Sequence, residues 1–258
     1  MPPGLPTVTA VVVTRDRPRL LADALAGVAR QSRPPIEVRI GNDGGPDIGE
    51  ALAALGAIGT SVIRTGAGGA AAARNRTARG ARGEALAFLD DDDRWLPGHL
   101  EGLAAALADP AVEIAFADCA VVREELGPGG ARAELARRVI AHDWDDALMR
   151  HDDFIPPSAI MVRRTLFERL GGFDESFRYS EDWDFLMRAA VLTAPRRVPG
   201  VSVEIRMRAT GNASADFGEE RLDCLRRLSA RHGLPAIEPK TFWEVAEAVA
   251  GTRSPRGA

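Results

Sequence analysis

Four consecutive aspartates, Asp90 to Asp93, run directly into Arg94, Trp95, Leu96 and Pro97. Adjacent like charges repel, so a compact fold tolerates them best when a cation shares the site. Oxygen-only ligands with no neighbouring histidine suit Mg2+ or Mn2+. Mg2+ in particular is held by one or two carboxylates, with water and substrate phosphates completing the shell. That chemistry implies a diphosphate-bearing ligand. The plainer alternative is a solvated acidic turn ahead of the helix that Pro97 opens, favoured by the helix dipole. Two further acidic groups stand out: Asn42-Asp43-Gly44-Gly45, and Glu181, Asp182 and Asp184 around Trp183. The four histidines (His99, His142, His151 and His232) fit no metal spacing. Cys119 and Cys224 lie far apart without CxxC or Cys/His spacing, which excludes a structural zinc site and a disulfide framework.

The segments that carry these acidic groups alternate regularly between strand and helix patterns. The run Thr7 to Val13 is β-branched and apolar throughout, the signature of a strand buried on both faces of a parallel sheet. Pro18 then suits a first helical turn, and Leu21, Leu25 and Val28 recur at helical spacing until Pro34 and Pro35 stop the pattern. Strands follow at Ile36 to Ile40, Ser61 to Arg64, Ala85 to Leu89 and Val112 to Phe116. Helices fall between them around Ile48 to Leu55, Ala70 to Arg79 and Leu96 to Leu107. Such alternation indicates βαβ units and a doubly wound α/β sheet through residue 116 or so. Beyond a loop at Gly127 to Gly130, residues 131 to 217 read as helical stretches with one strand, Ala159 to Val162. The C-terminal part is helical from Glu219, on Leu222, Leu225 and Leu228 and then Phe242 to Val249, before a polar tail from Thr252 to Ala258. Ligands in open α/β sheets bind beyond the carboxyl ends of the strands, and Asp43 and the aspartate run both sit at such ends.

With 258 residues, 45% of them apolar, the chain can fill one large core. Thirty-three basic against 37 acidic residues give a formal net charge of −4, which advertises neither a nucleic-acid nor an anionic-membrane partner. No apolar run approaches the roughly 20 residues of a membrane helix, and Met-Pro-Pro-Gly-Leu-Pro is no signal peptide. The expectation is a cytoplasmic protein without an integral membrane segment, at most peripheral at the inner face of the membrane.

Taken together, VTAVVVTRDRPRLLADALAGVARQSRPPIEVRIGNDGG, AAARNRTARGARGEALAFLDDDDRWLPGHL and GGFDESFRYSEDWDFLMRAA resemble, in order and spacing, the strand–helix–strand opening, the DxD segment and the GGFDE and ED segments of family-2 glycosyltransferases. They span about residues 7 to 190, and their joint occurrence is far more specific than any one alone. The resemblance implies a single-domain GT-A fold, Rossmann-like with a mostly parallel central sheet. It also implies inverting transfer of a sugar from a nucleoside-diphosphate sugar, foremost a UDP-sugar, to a hydroxyl on a carbohydrate, lipid-linked or small-molecule acceptor. By the same resemblance Asp43 contacts the nucleobase, though Asn-Asp-Gly is also ordinary turn chemistry. Thr14 lies nearest the base. Arg15 stands where tyrosine is commoner and could stack on it. Arg74, in the Arg-Asn pair with Asn75, reaches toward the nucleotide or simply faces solvent. Asp91 is placed near the ribose and Asp92 on Mn2+ or Mg2+, with Asp90 and Asp93 in support.

Asp182 takes the part of catalytic base, charged at neutral pH at an aspartate reference pKa of about 3.9. Ser180 can at the same time cap the helix that Glu181 and Asp182 open. Gly171, Gly172 and Phe173 form either a loop under the sugar or a plain turn. Trp183 and Trp95 are core residues or sugar platforms. In RMRATGNAS, residues 206 to 214, the family often has a histidine. None occurs here, and Arg208 can clamp the diphosphate instead. The domain division expected is 1–218 for the glycosyltransferase unit (7–125 the nucleotide-sugar half, 126–218 the acceptor half), then 219–258 as helical extension and tail.

Three other readings compete. Gly66, Gly68 and Ala71 fit G-x-G-x-x-A with Asp90 some 20 residues on, as in an NAD-dependent oxidoreductase. A sugar-phosphate nucleotidyltransferase shares the architecture, but its glycine-rich loop is missing from VVVTRDRP. A catalytically inert nucleotide-sugar-binding domain is the non-enzymatic alternative, against which Asp43, Asp92 and Asp182 all stand intact.

Overall fold

The computed structural model describes residues 4–127, 131–209 and 213–250. The chain opens as the apolar runs require. Strand β1 (Val8–Thr14) is buried at every position, and helix α1 (Pro18–Ala29) starts on its proline and buries Leu21, Leu25 and Val28. Strand β2 (Glu37–Asn42) pairs parallel with β1. The helix expected over residues 48 to 55 is a single turn, α2 (Gly49–Leu52), continued by a 3-10 turn to Leu55. Strand β3 (Thr60–Arg64) adds parallel to β2, helix α3 (Ala70–Ala78) follows, and β4 (Ala85–Asp90) pairs parallel with β1 on its other side. Helix α3 lies so close on the sheet that a Cβ at Gly41 would come within 2.1 Å of the Thr77 hydroxyl.

Register sets the site. Val13 stands opposite Asp90 and Thr14 opposite Asn42, so the residues that leave β1, β2 and β4 emerge together at one edge of the sheet.

The second half departs from the sequence expectation. Arg94 and Trp95 form a two-residue strand, β5, and helix α4 (His99–Ala106) starts only after Gly98, which has φ +87°. The strand expected to stop at Phe116 runs on as β6 (Ile114–Leu126) and turns back as β7 (Arg132–Ile140), where helix was expected. Residues 128 to 130 of the expected loop lie outside the described residues. Strand β8 (Ile160–Arg163) pairs antiparallel with both β4 and β6. Helices α5 (Arg164–Arg169) and α6 (Glu181–Ala190) precede β9 (Arg196–Met207), a long strand with no counterpart in the sequence reading. It runs parallel to β6 and pairs antiparallel with β5. The order across the sheet is β3-β2-β1-β4-β8-β6-β9-β5, with β7 hydrogen-bonded to β6.

Helices α7 (Glu219–His232) and α8 (Phe242–Ala250) close the chain as their periodicity predicts. Cys224, Leu225, Leu228, Trp243 and Val249 are buried in the same core as the sheet. The Trp243 ring is covered by the guanidiniums of Arg123 from β6 and Arg138 from β7, at 4.1 and 5.0 Å. The polar tail expected from Thr252 lies outside the described residues. Among those described, no helix is long and apolar enough to cross a membrane. Both cysteines are buried free thiols.

Candidate functional site

A cleft of about 470 Å3 opens at the carboxyl edge of the sheet. It is bordered by Thr14 and Arg15 after β1, Asp43 after β2, Arg74 on α3 and Asp90 to Asp93 after β4. Glu181, Asp182 and Trp183 of α6 face them, and Arg221 of α7 and Lys240 close the far side. The described non-glycine residues with left-handed backbone are Asp16, Ala67 and Ser180 (φ 56°, 58° and 61°). All three sit in the loops that frame this cleft, where backbone strain commonly marks a functional site.

Each aspartate of the run has its own partner. Arg74, 4% exposed, donates to Asp90 at 2.6 Å and to Glu181 at 2.6 Å, joining the end of β4 to the start of α6. The alternative of a solvated helix face for Arg74 is therefore set aside. Burial alone would lower its pKa, but Asp90 and Glu181 raise it on balance. Asp91 accepts from the Thr14 hydroxyl at 2.6 Å, and its Oδ1 lies 2.8 Å from Arg17. That contact is an ion pair of poor hydrogen-bond geometry, so the buried Oδ1 still lacks a hydrogen-bond donor. Burial pushes the Asp91 carboxyl up to about 7, with Arg17 opposing and Asp92 adding to the rise. Asp92 Oδ2 accepts from Arg17 at 2.8 Å and also from Arg208. Asp93 accepts from the Ser158 hydroxyl at 2.6 Å and from the Arg206 amide at 3.0 Å. Burial raises it well above the ordinary range.

The mutual repulsion of four aspartates does not, then, by itself demand a metal, since arginines already offset it. Among the described residues no three His, Cys, Asp or Glu side chains converge as a ready-made ligand set. A hard divalent cation still fits the donor chemistry. Asp91 Oδ1 is a buried oxygen with no hydrogen-bond donor, Asp92 is beside it, and Mg2+ or Mn2+ needs only one or two carboxylates when phosphates complete the shell.

Asp43 is engaged by its own surroundings. Oδ1 accepts from the Thr65 hydroxyl at 2.8 Å and from the Gly68 amide at 3.0 Å, and Oδ2 from the Gly69 amide at 3.0 Å. The turn role of this residue is real, and it organises the β3–α3 loop at the cleft's edge. The same bonds dispose of the oxidoreductase fingerprint. Amides that would cradle a pyrophosphate are turned onto Asp43, and Asp90, the would-be ribose ligand, is held by Arg74.

On the opposite wall, burial raises the Asp182 carboxyl above the ordinary aspartate range while Arg74 opposes it. The reference value assumed from sequence is thus corrected upward. Its Oδ1 accepts from the Trp183 amide at 2.9 Å. Burial, then Asp182, likewise raises Glu181 against the pull of Arg74. Ser180 makes no side-chain cap, contrary to expectation, its φ of 61° turning it away from cap geometry. Asp153 also lines the cleft and is raised well above the ordinary range by burial and by Asp182. Trp183 borders the cleft but is 5% exposed and donates to the Met149 carbonyl at 2.9 Å, so it is chiefly a core residue. Trp95 is fully core, bonded to the Ser158 carbonyl at 2.8 Å.

Gly172 does not border the main cleft. It lies where a Cβ would meet Asn75 Oδ1 at 2.4 Å, and Asn75 brackets Phe173 by accepting from its amide at 2.9 Å and donating to its carbonyl at 2.8 Å. The GGFDE segment packs as a turn on Asn75, and residues Gly171 to Glu175 border a second hollow beside Arg188 and Arg231. Phe173 packs edge-on against Phe88 and Phe167 and tilted against Phe185. Within RMRATGNAS, residues 210 to 212 lie outside the described residues. Sequence reasoning missed Arg17, Arg206, Ser158, Asp153 and Lys240. Only Arg17 had a local signal, its place in the loop after β1.

Against known proteins, the sequence matches Glycosyl transferase family 2 over residues 9–171. It is 34% identical over 237 residues to a Bacillus subtilis (strain 168) protein described as an uncharacterized glycosyltransferase, YwdF, covering 91% of this chain and 87% of that one. It is 29% identical over 122 residues to a Mycobacterium tuberculosis pre-mycofactocin glycosyltransferase, covering 46% of this chain and 26% of that one. Among solved structures, S. aureus TarS 1–349 in complex with UDP-GlcNAc superposes with TM-score 0.64 at 19% identity, covering 94% of this chain and 71% of that one. The mannosyltransferase PcManGT from Pyrobaculum calidifontis in complex with GDP-Man and Mn2+ superposes with TM-score 0.59 at 19% identity, covering 96% and 70%. These neighbours establish the fold of the chain as that of the GT-A glycosyltransferases.

Proposed function

The chain belongs to glycosyl transferase family 2 and is a glycosyltransferase, and from that premise we propose that it moves a sugar from a nucleoside-diphosphate sugar to an acceptor hydroxyl by direct displacement with inversion. The observation that carries this reading is the meeting, in one cleft, of Asp91 and Asp92 from the end of β4 with Asp182 from α6. A UDP-sugar is the donor we put first, the TarS neighbour being in complex with UDP-GlcNAc, and a GDP-sugar is the second, the PcManGT neighbour being in complex with GDP-Man. The acceptor is a carbohydrate, a lipid-linked glycan or a small molecule.

In this reading Asp182 is the general base. A carboxylate whose proton affinity is raised by burial takes a hydroxyl proton more readily than an exposed one, provided it is ionised at the working pH. Asp92, with Asp91 beside it, would hold Mn2+ or Mg2+, which when bound supplies positive charge against the departing diphosphate. Arg208 and Arg17 bring two further cations to the same place, and a guanidinium can meet a phosphate bidentately. Thr14, Arg15 and Asp43 border the end of the cleft proposed for the nucleobase. Asp43 acts there mainly by shaping the 65–69 loop. Asp90 and Glu181, clamped by Arg74, fix β4 against α6, and Asp93 fixes β9 through the Arg206 amide. Residues 1–218 form the proposed transferase unit. From the 219–258 extension, Arg221, Leu225, Lys240 and Phe242 complete the acceptor wall.

The test is thermal stabilisation by UDP, GDP, dTDP and NAD, each with Mn2+, Mg2+ or EDTA. A ligand at about a hundred times its Kd contributes roughly 2.7 kcal/mol. One nucleoside diphosphate that stabilises only with metal supports the reading. Stabilisation by NAD alone, or by nothing, overturns it.

A further inference from the structure

Asp92 is the proposed metal carboxylate, yet one of its oxygens is shared by two guanidiniums. Arg17 Nη1 donates to Oδ2 at 2.8 Å, and Arg208 donates to the same atom. The arrangement is sheltered, with Arg208 10% and Asp92 15% exposed. Arg17 also lies 2.8 Å from Asp91 Oδ1, the oxygen that lacks a hydrogen-bond donor. Asp91 and Asp92 are thus matched charge for charge by Arg17 and Arg208.

The two arginines are mounted differently from the aspartates. Asp91 and Asp92 follow directly on β4, a central strand of the sheet. Arg17 is on the loop between β1 and α1, is 37% exposed, and follows Asp16 with its left-handed φ of 56°. Arg208 lies just past the end of β9 and has a second acceptor, Glu124 Oε1, at 3.2 Å. Glu124 does not depend on Arg208, since Arg132 donates to it at 2.6 Å. Arg208 can therefore leave Asp92 without stranding Glu124, whereas Arg17 on leaving gives up its ion pair with buried Asp91, whose Oδ1 an entering cation would then meet.

We propose that Arg17 and Arg208 form a displaceable latch on Asp92, which keeps a divalent cation out until the donor's diphosphate arrives and draws the guanidiniums onto itself. The inference rests on the metal-dependent donor reading above and deepens it. A dication entering alone would meet two carboxylates already neutralised and two guanidiniums at contact distance, leaving two uncompensated positive charges in a largely buried place. Entering with a diphosphate, it meets an anion that the same arginines recognise bidentately, so carboxylates, cation, phosphates and guanidiniums all find opposite partners. Cation and nucleotide then bind with positive coupling. By reciprocity each strengthens the other by the same factor, and couplings of this kind usually fall between about 5-fold and 150-fold.

The experiment is Mn2+ titration of the full chain, with free Mn2+ read by electron paramagnetic resonance, in the absence and presence of saturating UDP. It compares wild type, Arg208→Gln, Arg208→Lys and Asp92→Asn, with unfolding midpoints recorded to confirm that each variant is folded. For wild type we expect weak Mn2+ binding alone, tightened at least tenfold by UDP. Arg208→Gln should bind Mn2+ alone about tenfold more tightly than wild type and show a smaller UDP effect. Arg208→Lys, which restores the charge, should fall back toward wild type, and Asp92→Asn should lose binding in every condition. If Arg208→Gln binds Mn2+ alone no better than wild type while UDP and Mn2+ still bind wild type together, the latch is overturned and the donor site stands. If wild type binds no Mn2+ with UDP, and none with GDP or dTDP in the same titration, the metal-dependent donor site and the latch both fall.

Discussion

Replacing Arg74 by alanine should destabilise the protein more than any other single change at the cleft, and the loss should depend on pH. Arg74 is 4% exposed and holds two carboxylates at 2.6 Å, Glu181 (9% exposed) and Asp90 (27% exposed). Removing one partner of a buried ion pair costs about 3–5 kcal/mol, because the group left behind is charged and unsolvated. Asp90 is open enough for water to screen it, so the greater part of the cost comes from Glu181 and the lower end of that range applies, about 3 kcal/mol. At roughly 2–4 °C per kcal/mol for a domain near this size, Tm should fall by about 6–12 °C at pH 8.

The pH dependence follows from Glu181. Burial already raises its carboxyl, and Arg74 is what opposes the rise. Without Arg74 the folded-state value climbs further above that of the unfolded chain, about 4.3. A carboxyl raised in the folded state loses stability as pH rises from the unfolded toward the folded value, so the deficit of Arg74→Ala should be much smaller at pH 5 than at pH 8. Urea unfolding at both pH values is the assay. Adding Glu181→Gln to Arg74→Ala should recover more than half of the loss, as a double-mutant cycle on a coupled pair requires. A deficit below about 0.5 kcal/mol at pH 8, or one equal at pH 5 and pH 8, would refute the clamp and leave only lost packing.

Three further outcomes follow from the same geometry. Asp153→Asn keeps an acceptor for the Ile155 amide but removes a carboxyl that burial and Asp182 raise, so differential scanning calorimetry should show a stability gain that grows with pH above about 4 and vanishes below it. A flat or inverted pH profile would mean that Asp153 is compensated in a way its surroundings do not reveal. Gly172→Ala places a Cβ 2.4 Å from Asn75 Oδ1 at a φ of +75°, and should cost about 1–3 kcal/mol in urea unfolding while leaving UDP affinity unchanged. A large loss of UDP affinity in a stably folded variant would return Gly172 to the site. Asp43→Asn turns an NH2 toward one or more of the donors from Thr65, Gly68 and Gly69, so hydrogen exchange at residues 65–69 should accelerate at least tenfold, and unchanged protection would argue against Asp43 as the organiser of that loop.

The first half of the fold was legible because parallel strands buried on both faces leave unbroken apolar runs such as Val8 to Val13, and the helices between them carry clear start and stop residues. The long β6–β7 hairpin was not. Strand β7, Arg-Ala-Glu-Leu-Ala-Arg-Arg-Val-Ile, lies mostly exposed, and a composition of alanine, arginine, glutamate and leucine carries helix propensity that sheet pairing overrides. Strand β9 was hidden for a related reason, since Pro199 and Gly200 interrupt it and its register shifts against β6 near Asp118. The carboxylates of the site could be read from their places at strand ends. Their partners could not, because Arg17 and Arg208 reach Asp92 across 75 and 116 positions of sequence, and only folding brings them together. The aspartate run read in isolation suggests that a metal must neutralise it, whereas in the folded chain arginines, hydroxyls and a backbone amide do so first.

Donor turnover separates a cleft that transfers a sugar with Asp182 as base from one that only binds the nucleotide. Water can stand in for the unknown acceptor hydroxyl, so release of the nucleoside diphosphate from UDP-sugars and GDP-sugars in Mn2+ can be followed for wild type and Asp182→Asn alongside their affinity for the free diphosphate. One donor should be turned over by wild type, and Asp182→Asn should be slowed by at least about a hundredfold with its diphosphate affinity unchanged. Turnover by Asp182→Asn at the wild-type rate would contradict the role of Asp182 as base.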